Sequence, residues 1–100
     1  MSNHVNPDLF SVTLDILEGL VMKQAHLERY RMIGLKISFY RKLRGLTQEE
    51  LAEKIDRTPA FIGHVEAPNI NKAISLDTLF DIADVLEIQP KKLIDFDDIS

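Results

Sequence analysis

The chain contains no cysteine and no tryptophan. Without thiols it can build no disulfide framework, thiolate metal site or cysteine nucleophile, and it is indifferent to redox compartment. Glycine and proline number four each, too few for a turn-rich sandwich. Long apolar runs are missing too. The opening residues MSNHVNPD carry no positive segment, and the apolar stretch after them is cut by Asp15 and Glu18. The sequence therefore signals neither export nor membrane insertion, and a cytoplasmic location is expected. His4, His26 and His64 lack two-ligand helical spacing, no glycine-rich phosphate loop exists, and the pair Asp97-Asp98 lies at the tail. No metal, no cofactor and no enzyme activity are expected.

What is present is helical in character. One hundred residues, 45% of them hydrophobic, suffice for one small domain, alone or with an appendage. Leucine and isoleucine dominate with 13 and 11 copies, and the composition predicts an all-α chain. A net charge of -4 argues against a nucleic-acid partner at first sight, but the charge is unevenly spread. Residues 23 to 45 hold Lys23, Arg29, Arg31, Lys36, Arg41, Lys42 and Arg44 against the single anion Glu28, whereas residues 46 to 100 carry five cations and twelve anions. An acidic protein polarised in this way can offer one positive face, because salt screens each patch over roughly 8 to 10 Å.

Apolar residues recur at helical spacing from Asp8 to about Tyr30, predicting a first helix after Asn6-Pro7. Leu9, Ile16, Leu20 and Leu27 lie along one side of it, and Phe10, Leu14, Leu17 and Val21 along the next, so the apolar stripe is wide. Gly19 either weakens this helix by about 1 kcal/mol or allows a close backbone approach. A second helix is predicted from about Met32 to Arg44, with Ile33, Ile37, Tyr40 and Leu43 inward and Gly45 as its left-handed stop. Thr47-Gln48-Glu49-Glu50 reads as a capping box opening a short helix to Ile55. Asp56-Arg57 forms a tight turn, and Thr58-Pro59 caps the next helix, which runs to about Glu66. After a loop over residues 67 to 74, Ser75 caps a helix carrying Leu76, Leu79, Phe80, Ile82, Ala83 and Leu86; Pro90 then opens a last turn.

Two short helices joined by a tight turn, with basic residues before them, suit entry into the DNA major groove. The runs LRGLTQEELAEKI (Leu43 to Ile55), I-x-x-V-E (Ile62 to Glu66) and SLDTLFDIADVLEI (Ser75 to Ile88) together resemble the lambda-repressor-like (XRE/Cro-type) helix-turn-helix transcriptional regulator family. The resemblance covers Ile33 to Phe96, nearly two thirds of the chain. It implies a five-helix helix-turn-helix DNA-binding domain over residues 33–96, preceded by an extra N-terminal amphipathic helix over 1–32 and followed by an acidic tail, 97–100. It further implies that Ala52 is small because the third helix of the domain crosses the second there, with Leu51, Ile55, Ile62 and Val65 as the apolar seam. Arg41 and Glu66 match a structural ion pair, and Gln48 a residue that grips phosphate.

By the same resemblance, double-stranded DNA is read by the start and exposed face of the recognition helix: Thr58, Pro59, Ala60, Phe61, Gly63 and His64. Ala60 and Phe61 suit thymine methyl groups, His64 a guanine acceptor or a phosphate, and Thr58 a phosphate; Phe61 suits a core or protein contact equally. Arg57 faces either DNA or solvent. Where the family has a basic turn, this chain offers Asn69, Asn71 and Lys72. About four phosphate contacts per subunit predict a log-log salt slope near -4. The expected function is a repressor acting as a homodimer on operator DNA, dimerised through Leu9, Phe10, Leu14, Ile16, Leu17, Leu20 and Val21, with a regulatory protein as a further possible partner. The rival reading is a protein-interaction module, an antitoxin- or anti-repressor-like adaptor, favoured by the acidic balance and by a reading face without arginine.

Overall fold

The computed structural model describes residues 7–70 and 72–97, with side chains from residue 25 onward. Four α-helices and one 3-10 turn make up the described residues: α1 (Pro7–Leu43), α2 (Gln48–Lys54), α3 (Pro59–Glu66), α4 (Leu76–Leu86) and the turn Pro90–Leu93. Where the spacing predicts two helices, over 8–30 and from Met32, the chain forms one. The reason is local. Tyr30-Arg31-Met32-Ile33 contains no proline, glycine or N-cap residue, so nothing stops the hydrogen-bond ladder, and Arg31 pairs with Glu28 one turn back across the expected break. The expected fifth helix of the domain is also reduced. Pro90 starts it, but past Leu93 the Asp95 carboxylate accepts from the Asp97 amide at 3.1 Å, a local bond that competes with helix.

Short-range signals decide the remaining boundaries. At the end of α1 the Leu46 amide donates to the Arg41 carbonyl (3.0 Å) and the Gly45 amide to the Lys42 carbonyl (2.9 Å), a Schellman closure with Gly45 at φ +72°. The same pair of bonds closes α2 through Asp56 and Arg57, and α4 through Glu87 and Ile88. There the left-handed residue is Asp56 or Glu87, each at φ +58°. Thr47 and Glu50 exchange both capping-box bonds, Thr58 accepts from the Phe61 amide at 3.2 Å, and Ser75 accepts from the Thr78 amide at 3.1 Å.

The core gathers one face from each element: Ile37 of α1, Leu51 and Ala52 of α2, Ile62 and Val65 of α3, Leu79, Ile82, Ala83 and Leu86 of α4, and Leu93 of the 3-10 turn. Ile33 and Tyr40 pack partly against it. Leu43, expected inward, is 64% exposed instead. Six residues beyond Ile37 the helix has turned about 120° away from the core line. Phe80 of α4 is exposed for the same reason, about 100° round from Leu79, whereas Leu76, on the side of Leu79 and Ala83, is exposed as the first residue of the helix. Gly34 sets the distance between α1 and α3: a methyl group there would lie 2.2 Å from the Val65 carbonyl oxygen and 3.2 Å from its carbon. Backbone rather than side chain makes this crossing, and only glycine permits it.

Candidate nucleic-acid interface

The site is built on the α2–α3 unit. Ile62 and Val65 are buried, which fixes the rotation of α3 and leaves Pro59, Ala60 and His64 exposed, with Gly63 half-buried between them. Eight residues at about 1.5 Å each give α3 a length near 12 Å, the width of a B-DNA major groove. Its outer face is low, because Ala60 and Gly63 place a methyl and a hydrogen where longer side chains would hold a partner off. Thr58 is exposed but already caps α3. Among the residues expected to read DNA, Asn69 and Lys72 are exposed in the following loop; Asn71 lies outside the described residues.

A buried polar junction holds this unit to α1. Arg41 donates to both oxygens of Glu66, from Nε at 2.7 Å and Nη2 at 2.9 Å, and its third nitrogen, Nη1, donates to the Leu46 carbonyl at 2.7 Å. The two side chains are 9% and 5% exposed, so the pair is bidentate, desolvated and fully bonded. Bonding to Glu66 raises the Arg41 pKa above its ordinary value, although burial opposes it. Gln48 joins the junction by donating from Nε2 to Glu66 Oε1 at 3.0 Å. A carboxylate only accepts, which fixes the orientation of the amide. Its Oε1 lies over Gly63, 3.7 Å from where a Cβ would be. Gln48 therefore links the start of α2 to the end of α3.

Arg57 is exposed, and its guanidinium makes two contacts within the domain. Its Nη2 donates to Thr78 Oγ1 of α4 at 3.0 Å, and its guanidinium carbon stands 4.6 Å from the Phe61 ring centroid. Lys72 Nζ lies 5.7 Å from the same ring. Phe61 packs partly against the core and carries both cations on its π surface. Thr78 is buried, and its hydroxyl also accepts from Ser75 at 3.1 Å. The turn before the recognition helix is thus tied to the N-terminus of α4.

Three residues with structural weight were not singled out from the sequence. Gly34 carries the signal of a glycine inside a helical pattern, but only the crossing with Val65 gives it meaning. Arg44 donates from Nε to the Leu86 carbonyl at 2.6 Å and from Nη2 to the Glu87 carbonyl at 3.1 Å, binding the negative end of α4. Thr78 has no local signal for its bond to Arg57. These contacts also absorb much of the cationic stretch. Arg41 and Arg44 serve the fold, Lys36 is buried, Arg31 pairs with Glu28, and Arg29 bonds His26 at 2.6 Å. The side chains of Leu9, Phe10, Leu14, Ile16, Leu17, Leu20 and Val21 lie outside the described residues.

Comparison with known proteins agrees with this geometry. No curated protein matches the chain. Among solved structures it is similar to the restriction-modification controller protein C.AhdI from Aeromonas hydrophila, with 28% sequence identity and a TM-score of 0.59 over 64% of this chain and 94% of that one. Among the described residues no helix is long and apolar enough to cross a membrane. The helix-turn-helix family model HTH_3 matches residues 37–93, from the buried Ile37 to the buried Leu93, and the chain belongs to that family of DNA-binding regulators.

Proposed function

We propose that the protein is a homodimeric repressor that occupies operator DNA and blocks a promoter. The low outer face of α3 carries this reading: Pro59, Ala60, Gly63 and His64 let the helix backbone come close to the base edges, and His64 is its one long polar donor. Gln48, held by Glu66 through one amide hydrogen, has a second to offer a phosphate, and Lys72 beside Phe61 offers a charge. Thr58, Asn69, Asn71 and Arg57 complete the proposed DNA-binding set, with Arg57 acting by holding Phe61 in place. Readout of this kind favours thymine methyl groups and groove shape over bidentate base pairing. Likeness to a controller protein supports a regulatory role, and a cytoplasmic site of action goes with it.

Replacing Gln48 and Lys72 together by alanine tests the reading. DNA affinity is expected to fall at least tenfold with the fold unchanged by circular dichroism. Unchanged affinity would overturn the assignment of these two residues. One observation favours the second reading, the protein-binding adaptor: Gln48 and Arg57 both make internal bonds, which leaves few cations at the interface. Under that reading the wild-type protein itself shows no preference among DNA sequences.

A further inference from the structure

The ring of Phe61 gathers two cations from opposite ends of α3. Arg57 precedes the helix, its guanidinium carbon 4.6 Å from the ring centroid; Lys72 follows it, with Nζ 5.7 Å from the same point. Both stand inside the roughly 6 Å over which a ring face attracts a cation. The ring is itself fixed, half-buried and packed against the core. Arg57 is tethered as well, donating from Nη2 to Oγ1 of the buried Thr78 at 3.0 Å. Lys72 has no such tether: it is exposed in the loop, and among the described residues its ammonium makes no hydrogen bond or ion pair. Neither cation has a carboxylate at ion-pair distance among the described residues. Two positive charges are therefore held at one ring without neutralisation, close enough that salt does not fully screen them from each other.

Helical geometry puts this cluster on one flank of the outer face. Phe61 and Gly63 are about 200° apart around α3, and Ala60 and His64 lie between them on the side away from the buried Ile62 and Val65. Gln48 marks the Gly63 flank, its Oε1 3.7 Å from where a Cβ would be. Phe61, with Arg57 and Lys72, marks the other. A major groove about 12 Å wide is bordered by a phosphate backbone on each side. With Ala60 and His64 facing the bases, α3 presents Gln48 to one backbone and the two cations to the other. A lysine free in a loop loses rotamer freedom when it meets a phosphate. One already held at a ring loses less, so the same charge binds better.

We propose that Phe61 is a positioning residue for phosphate binding: its ring, secured by Arg57 and Thr78, holds the Lys72 ammonium toward the DNA backbone on the flank of α3 opposite Gln48. The ring is then a platform for cations, not a contact for a thymine methyl group. The proposal rests on the DNA-binding reading above and adds the device that makes a single loop lysine effective.

The test uses the full chain and a mixed-sequence duplex of about 30 base pairs, with affinity followed by fluorescence anisotropy as salt rises from roughly 50 to 200 mM. Lys72→Ala is expected to make the slope of log affinity against log salt shallower by about one. Phe61→Leu keeps an apolar side chain against the core but removes the ring; it is expected to shift the slope equally, although it removes no charge. Phe61→Tyr retains the ring face and is expected to keep the original slope. Adding Lys72→Ala to Phe61→Leu is expected to cost no further slope. In the unmodified protein the Lys72 ε-methylene protons are expected upfield of those of the other lysines by NMR, from the ring current of Phe61. If circular dichroism shows Phe61→Leu unfolded, this signal decides alone. A slope unmoved by Phe61→Leu, a slope lost in Phe61→Tyr, a further full loss in the double variant, or a Lys72 signal without the upfield shift would each overturn the proposal and leave DNA binding standing. An unmodified chain that binds no duplex at about 50 mM salt would overturn both.

Discussion

The two sides of α3 differ in what holds them. The inner side ends in Glu66, whose carboxylate receives two bonds from Arg41 and one from Gln48, beneath the backbone crossing at Gly34. The outer side carries Pro59, Ala60, Gly63 and His64, small or singly polar groups. Chemical strength is invested in placing the helix, and little in decorating it. A reading helix with few long side chains must be held accurately, because its contacts depend on how closely the backbone approaches rather than on side chains that adjust. The Arg57 guanidinium follows the same rule: it secures Phe61 and Thr78.

The sharpest way to break this contrast is to unbuckle the inner side. Glu66→Ala strands the Arg41 charge in the interior and is expected to cost about 3–5 kcal/mol in urea-induced unfolding. The double change Arg41→Met, Glu66→Met leaves no stranded charge, and its loss should be clearly smaller than that of Glu66→Ala. Equal losses would show that the pair acts through packing alone. Gly34→Ala comes next. Its methyl would meet the Val65 carbonyl oxygen at 2.2 Å, so α1 and α3 must move apart, at about 1–3 kcal/mol. Among variants that keep the fold, DNA affinity should fall further for Gly34→Ala than for alanine at exposed Asp84, if the placement of α3 governs contact.

Much of the frame is legible in the sequence because its signals are local. Thr47 with Glu50, Thr58 with Pro59, Ser75, and Gly45 each act within four residues, and each ends or begins a helix where its type predicts. Contacts between distant residues are not legible in the same way. Arg57 reads as a turn cation until Thr78, 21 residues on, is found beside it. Arg44 reads as a helix-end charge until α4 brings its last carbonyls there, 42 residues on. The fusion of the first two predicted helices was available in principle, since no breaker stands at residues 30 to 33, but the family pattern begins at Ile33 and suggests a boundary. Leu43 and Phe80 belong to stripes broader than one core can cover, and periodicity alone does not say which edge is left outside.

Smaller effects sharpen the account of the helix ends. Glu87 holds φ +58°, where a β-carbon is strained, and Glu87→Gly is expected to raise stability by about 0.5–1 kcal/mol, seen as a higher Tm. The Arg44 bonds to the Leu86 and Glu87 carbonyls are to backbone and remain. The smallest effect is a pH dependence. Bonding to the Thr47 backbone and hydroxyl holds the Glu50 pKa below its ordinary value. A depressed carboxylate pKa contributes stability that is fully present above the ordinary glutamate range near 4.5 and is lost as pH falls through the lower folded value. Glu50→Gln keeps a capping-box partner without a titrating group, so its stability should change less between pH 5 and pH 3 than that of the unmodified chain.

The most direct test of the central claim is selection of bound fragments from a random DNA pool at physiological salt, followed by sequencing. Enrichment of a two-fold-symmetric site is expected, with half-sites rich in thymine where Ala60 approaches the groove. Folded protein that enriches no sequence would contradict it.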